Sequence, residues 1–516
     1  MARLGIDYGT TNTVVVCADR GRYPLVPHVT DTSIGRVARD IFPSMVVFDT
    51  VTGSLRFGAE AERSLTEPGA AQRHIPIRSL KRLFRDYVDG MRFATEFIPG
   101  GLDLHDTLCQ FTKAVHTSIR ASGIVSAAEP LEIVLTWPAN ANGAQRHFTR
   151  SAFRDAGFTV IGTLNEPSAA AIELADRMVH GNRAKARQLK TTIAVFDLGG
   201  GTFDASVVRI NATDYTVLGA SGIETLGGDD FDEALARLFC DKLKLDFDAL
   251  SPFHRTLLLM QSCREKERLG TGQPRSLTLD PEEIGLSGET VKVTAAAFEK
   301  RLAELIAPAV EKLAEVILNI GSDEVETIYL VGGSSRLPVV GKLIGQRFPK
   351  IRLYTTDKPF TATAMGAAIQ STETIRVHEV FARHFGVIRL ADHGHREVFS
   401  PVFKAGMRLP ARTESPVMTH VSYQPQHNIG RLRYLECTSV NEEGKPLDGL
   451  RPWSEILFPY DPGLPLNDPF KSNGIHLRPD LDAMASETYS CDSDGIITVQ
   501  ITRGDGQSRT FEVFRQ

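Results

Sequence analysis

Asp7 and Asp197 each close an apolar run and lead into a Gly/Thr turn, in Leu4-Gly-Ile-Asp-Tyr-Gly-Thr-Thr-Asn12 and Val195-Phe-Asp-Leu-Gly-Gly-Gly-Thr-Phe-Asp204. A carboxylate at a strand end can hold a hydrated Mg²⁺. Gly9, Thr10 and Thr11, or Gly199 to Thr202, offer backbone N–H groups and hydroxyls suited to phosphate oxygens. Two variants of one device, nearly two hundred residues apart, imply two facing lobes that grip the phosphates of one nucleotide. The chemistry expected is the binding and hydrolysis of ATP.

The elements needed to position these groups can be read from hydrophobic periodicity. Val14–Val16 continues a hairpin from the first device, Ile133–Thr136 reads as a buried strand, and 142–156 has helical spacing, an alternation that indicates an α/β domain. A helix is expected to open at Asn165-Glu-Pro167, and the basic stretch 177–190 reads as a solvated loop. Mostly helical sequence follows Leu226-Gly-Gly-Asp-Asp-Phe-Asp232, then a short strand region ends at Val291-Lys-Val-Thr294. A long helix is predicted over 295–319, a strand and glycine turn over Ile328–Arg336, and a helix over 361–374. Beyond about Val377 the pattern becomes short alternating runs rich in Pro, Gly and Asn, which predicts a separate all-β domain.

Bulk properties narrow the function classes. A chain of 516 residues exceeds one ordinary core, so two or three domains are expected. Six scattered cysteines without a C-x-x-C pair argue against a disulfide or zinc scaffold and for reduced thiols in a cytoplasmic setting. A net charge of −5 and the lack of a basic, aromatic-interleaved run argue against nucleic acid as a partner. No apolar stretch reaches the roughly 18 residues of a membrane span, and no leader pattern is present, so no membrane partner is expected. His393-Gly-His395 reads as a polar turn rather than a metal site.

Taken in order, Gly5–Asn12, Leu80-Lys-Arg-Leu83, Trp137-Pro-Ala139 with Ala144-Gln-Arg146, Asn165-Glu-Pro167, Asp197–Asp204, Gly227–Asp232 and Val331-Gly-Gly-Ser-Ser-Arg336 resemble the heat-shock protein 70 chaperone family. The resemblance implies an actin-like two-lobed ATPase, made of duplicated ribonuclease H-like folds, over 1–375. A linker at 376–383 and a smaller β-sandwich over 384–516 would follow. It implies Asp7 and Asp197 as metal ligands, and Gly9, Thr10, Thr11, Asn12, Gly199, Gly200, Gly201 and Thr202 around the phosphates. Lys81 would face the transferred phosphoryl group, with Glu166 and Asp204 near the attacking water. Gly228, Gly332, Gly333, Ser334 and Arg336 would meet the nucleoside, Arg336 stacking on the base. On the helix Cys263–Leu269 either Lys266 or Arg268 faces the ribose, and the family's acidic residue before Gly366 is replaced around Phe360.

ATP, Mg²⁺ and K⁺ are the ligands implied. The partners implied are an unfolded or extended polypeptide, a J-domain co-chaperone and a nucleotide exchange factor. Phe385–Ile388, Phe403–Pro410 and Asp492–Gln500 resemble strands of the peptide-binding sandwich. With no helical pattern before Gln516, a short member without the lid is expected. The linker 375–380 is more polar than the family pattern, so coupling between nucleotide and polypeptide is expected to be weak. A regulatory pseudo-chaperone with one dedicated partner, a small-molecule kinase of the same superfamily and an actin-like filament protein are the alternative readings.

Overall fold

The computed structural model describes residues 1–32, 35–86, 91–95, 98–126, 128–179, 182–272, 274–391, 396–441, 444–467, 474–481 and 484–513. His393 and His395 lie outside the described residues. The chain divides into two compact units, 1–141 with 148–376, and 142–147 with 377–516.

The first unit contains two mixed sheets built to one plan. In the first, strands β1 (Ala2–Tyr8), β2 (Asn12–Ala18), β3 (Phe42–Pro43), β4 (Leu131–Trp137) and β5 (Thr159–Asn165) lie in the order β5-β4-β1-β2-β3. β1 pairs parallel with β4 and antiparallel with β2. In the second, β6 (Lys190–Leu198), β7 (Phe203–Asn211), β8 (Asp214–Ile223), β9 (Thr327–Val331) and β10 (Arg352–Thr355) run in the order β10-β9-β6-β7-β8, with β6 parallel to β9 and antiparallel to β7. β1 and β6 are thus equivalent central strands, buried on both faces, and their sequences are correspondingly near-continuous apolar runs. This duplicated topology is the actin-like ATPase fold.

The helices that matter for position are α1 (Leu80–Leu83), α2 (Leu104–Ala121), α3 (Gly143–Asp155), α4 (Glu166–Val179), α5 (Gly228–Leu243), α6 (Pro252–Thr271), α7 (Ala295–Ile320) and α8 (Ala362–Ser371). α8 is almost free of bulky residues, and this lets it sit directly on its neighbours. A Cβ added at Gly366 would lie 1.8 Å from the Ala169 carbonyl oxygen on α4, and one added at Gly5 would lie 2.2 Å from the Ala364 carbonyl oxygen. Glycine is required at both points because backbone occupies the space of a methyl group. α7 lays Phe298, Leu302, Ile306, Ala309, Leu313 and Ile317 into the core of the second lobe with helical periodicity.

The basic stretch read as a solvated loop is structured at its start. Arg177 belongs to α4 and pairs with Glu173 at 2.6 Å and Asp357 at 2.9 Å, and 183–186 form a further helical turn. Glu173 is almost fully buried and also accepts from the Tyr329 hydroxyl at 2.6 Å. Burying that carboxylate requires a cation beside it, and Arg177 is one turn away on the same face.

The second unit carries two four-stranded antiparallel sheets. One orders Arg396–Phe403, His384–Ala391, Ile429–Cys437 and Arg451–Pro459; the other orders Val417–Tyr423, Ala485–Cys491, Ile497–Thr502 and Ser508–Glu512. Ala485–Cys491 alternates strictly between buried and half-buried positions. The inward residues of both sheets, among them Phe385, Val387, Phe403, Phe458, Tyr489 and Val499, form one apolar core.

Candidate active site

The two Asp devices adopt the same turn. The Gly9 N–H donates to the Asn12 carbonyl at 3.1 Å, and the Gly199 N–H donates to the Thr202 carbonyl at 3.1 Å. Asp7 and Asp197 are each the penultimate residue of their central strand. The turns face one another at contact distance. A Cβ at Gly200 would lie 2.0 Å from Thr11 Oγ1, and one at Gly201 would lie 2.3 Å from Thr10 Oγ1. Glycines on one lobe therefore receive the threonines of the other.

Between the turns lies a cavity of about 210 Å³. Its wall includes Asp7, Gly9, Thr10, Thr11, Asn12, Lys81, Glu166, Asp197, Gly199, Gly200, Gly201, Thr202, Gly228, Lys266, Gly332, Gly333, Ser334 and Arg336. Residues expected from seven separate stretches of chain are therefore brought to one place. Two expected residues are not in the wall. Asp204 lies behind it, buried, where the Asn140 N–H donates to its carboxylate at 3.3 Å. Arg268 points away, its guanidinium 2.7 Å from Glu265. Of the two alternatives on α6, Lys266 is the inward one.

The reason is helical periodicity. Cys263, Lys266, Glu267 and Gly270 are spaced i, i+3, i+4, i+7 and share the face that lines the cavity. Arg268, two positions from Lys266, must face elsewhere. Lys266 Nζ donates to the Gly228 carbonyl at 2.8 Å and pairs with Asp232 at 2.7 Å. Asp232 and Cys263 are wall residues that had no assigned role from sequence, although Asp232 stood in a recognised motif. Phe360 is another: its ring covers Gly333 so closely that a Cβ there would lie 2.5 Å from it.

The electrostatics are dominated by carboxylates. Lys81 Nζ is 2.6 Å from Glu166 Oε1, in a buried pair between α1 and the first residue of α4. Asp7 is pushed up to about 7, chiefly by burial and further by Glu166, with Lys81 opposing. Asp204 is also pushed up to about 7 by burial and Glu166. Asp197 is raised well above the carboxylate range by burial, with Glu166, Asp204 and Asp7 adding to the effect. For Lys81 burial acts to discharge the ammonium, but Glu166, Asp7 and Asp204 outweigh it and its pKa is raised. Four carboxylates share one ammonium, a surplus of hard oxygen donors that a divalent cation such as Mg²⁺ neutralises. The donor set fits that ion, with Asp7 and Asp197 in the wall to hold it.

The stretch around Lys81 is tied to the facing lobe. Arg82 donates to the Gly201 carbonyl at 2.6 Å and pairs with Asp230 at 2.5 Å, Arg78 lies 3.2 Å from Asp229, and Ser79 donates to Asp229. Arg78 and Arg82 flank Lys81, so the stretch that presents the ammonium is tied to the start of α5 on the opposite lobe.

Among the described residues, no helix is long and apolar enough to cross a membrane. The Hsp70 protein family model matches residues 125–382. A chaperone protein HscA homolog from Tolumonas auensis is 32% identical over 388 residues, covering 71% of this chain and 57% of that protein. The chaperone protein HscA homolog from Shewanella sediminis is 34% identical over 387 residues, covering 71% and 58%. A heat shock 70 kDa protein from Ajellomyces capsulatus is 31% identical over 305 residues, covering 57% and 42%. The chain spans a little over half the length of the HscA homologues it matches. With the duplicated topology, the paired Asp turns and half its length matched by the family model, the chain belongs to the Hsp70 family.

Proposed function

We propose that the first unit binds Mg²⁺·ATP and hydrolyses it, and that the β-sandwich unit binds extended polypeptide in a manner coupled to that cycle. The observation that carries the first part is the convergence of two variants of one strand–turn device, from opposite lobes, on one cavity that also holds Lys81 and Glu166. The names of the relatives, chaperone and heat-shock proteins, support the second part.

In this reading Thr10, Thr11, Gly200, Gly201 and Thr202 donate to phosphate oxygens from both sides and hold the phosphoryl group in line. Asp7 and Asp197 would hold Mg²⁺, which would supply positive charge against the charge that develops on the phosphates. Lys81 supplies positive charge to the transferred group, and Glu166, aligned by its 2.6 Å bond to Lys81, orients the attacking water. Lys266 and Ser334 serve the ribose side. Arg336 and Phe360 give the cavity two planar groups for a purine.

The test is calorimetry of ATP binding to the full chain with and without Mg²⁺, paired with release of labelled phosphate and with the affinity of a fluorescent apolar peptide. The reading expects binding that depends on Mg²⁺, slow turnover, and a peptide affinity that changes with nucleotide. Lack of ATP binding at millimolar nucleotide overturns it. ATP turnover without peptide binding in any nucleotide state removes the chaperone part alone.

A further inference from the structure

Outside the nucleotide cavity, His105 and Cys109 lie one turn apart on α2, and Asp155 closes α3 beside them. The i, i+4 spacing places imidazole and thiol on one helix face. Cys109 Sγ is 3.8 Å from His105 Nε2 and 4.0 Å from Nδ1, and one ligand atom from each of the three residues lies within 4.8 Å of the others. In tetrahedral zinc coordination, with bonds of about 2.3 Å to sulfur and 2.0–2.1 Å to nitrogen, those two ligand atoms stand ~3.5 Å apart. The thiol and Nδ1, 4.0 Å apart, need to approach by only about 0.5 Å to reach that spacing. Asp155 is exposed and can turn to complete the set.

The surroundings hold the imidazole as a ligand is held. Ser151 Oγ is 3.1 Å from His105 Nε2, which leaves Nδ1 for an ion, and the Phe148 ring packs edge-on to the imidazole at 5.3 Å between centroids. Second partners of this kind fix the ring orientation of metal-binding histidines. Burial first, and then the charges of Asp155, Asp106 and Asp103, push the Cys109 thiol up to about 11. The same three carboxylates give the locus a negative field that attracts a cation.

We infer that His105, Cys109 and Asp155 form a binding site for a divalent transition-metal ion of the zinc class, with a mixed N, S, O donor set and a fourth position for water. Binding forms the metal–sulfur bond as the thiol proton leaves to solvent, so affinity falls in acid. Thiolate and imidazole donors select zinc or cobalt over Mg²⁺, which keeps this site chemically distinct from the nucleotide cavity. The bound ion cross-links α2 to the end of α3, and half-exposed Cys109 with exposed Asp155 leaves a path for its entry.

The full chain, stripped of metal, is titrated with Co²⁺ and followed by absorption. One equivalent should bind with a sulfur-to-cobalt charge-transfer band that Zn²⁺ then displaces. Cys109→Ser should abolish the band, and His105→Gln and Asp155→Asn should each weaken Zn²⁺ binding by at least about ten-fold. Thermal unfolding of the wild-type chain should rise with Zn²⁺ and that of Cys109→Ser should not. Should Cys109→Ser fail to fold, the exposed Asp155→Asn still decides the matter by its Zn²⁺ affinity. No charge-transfer band in the wild type, a band retained in Cys109→Ser, or unchanged affinity in Asp155→Asn overturns the assignment.

Discussion

Lys81 and Glu166 meet across the floor of the cavity at 2.6 Å, the single ammonium in a group that also contains Asp7, Asp197 and Asp204. This pair joins a four-residue helix to the first residue of a fourteen-residue one. It both aims the lysine inward and fixes the carboxylate that the proposed hydrolysis requires.

Replacing the lysine tests that relationship. Lys81→Ala should reduce single-turnover hydrolysis by about 10²–10³, the usual cost of losing one preorganised electrostatic partner of a transition state. ATP affinity, carried by the two turns, should change far less. Single-turnover rates beside calorimetric affinities separate the two effects, and unchanged turnover would remove Lys81 from the chemistry.

The close approach of the two turns yields a prediction about nucleotide affinity. Gly201→Ala places a methyl group 2.3 Å from Thr10 Oγ1 and 2.6 Å from its Cγ2, so the lobes must separate to admit it. Mg²⁺·ATP binding should weaken by about 1–3 kcal/mol, the usual scale of overpacking. Adding Thr10→Ser, which deletes Cγ2, should restore part of the loss. Calorimetry on the two single variants and the double variant reads the coupling, and strict additivity would contradict it.

His28 provides a pH dependence away from the cavity carboxylates. It is buried, with Nδ1 2.9 Å from Ser118 Oγ and its ring against Phe42, and burial lowers its pKa to about 4. With the folded value below the unfolded one, the stabilising contribution is present above about pH 6.5 and is lost as pH falls through about 4. The full span corresponds to ~3 kcal/mol at 1.36 kcal/mol per unit. Denaturant unfolding of the wild type and His28→Gln at pH 7 and pH 4.5 should show a shallower acid loss in the variant. Parallel profiles would refute it.

In the β-sandwich unit the fully buried Glu487 accepts from Arg389 at 3.1 and 2.6 Å and from the hydroxyls of Tyr423 and Tyr489. Arg389→Met leaves that carboxylate without its cation and should cost about 3–5 kcal/mol, whereas Arg389→Met with Glu487→Gln should recover much of it. Trp453, 4.7 Å from Phe385 between ring centroids, reports this core by fluorescence. A double variant no more stable than Arg389→Met alone would show that the pairing is not what stabilises the core.

The devices around Asp7 and Asp197, the α/β pattern of the first half and the all-β pattern beyond 377 were legible in the sequence, because each is written in neighbouring residues. A β-branched run, a carboxylate and a Gly/Thr turn specify strand and hairpin within about ten positions. Lys266 rather than Arg268 was also within reach, since the i, i+3, i+4, i+7 face from Cys263 excludes Arg268 from the cavity. Other features depend on chain segments meeting from afar. Asp204 lies one strand from Asp197 in register, yet only the packing of Asn140 over it puts it behind the wall. Phe360 covers Gly333, Arg177 is drawn out of an expected loop by buried Glu173, and His105 meets Asp155 across two helices. Local periodicity decides which face a side chain leaves from. What it meets there is decided by the burial of charge and by close packing between segments distant in the chain.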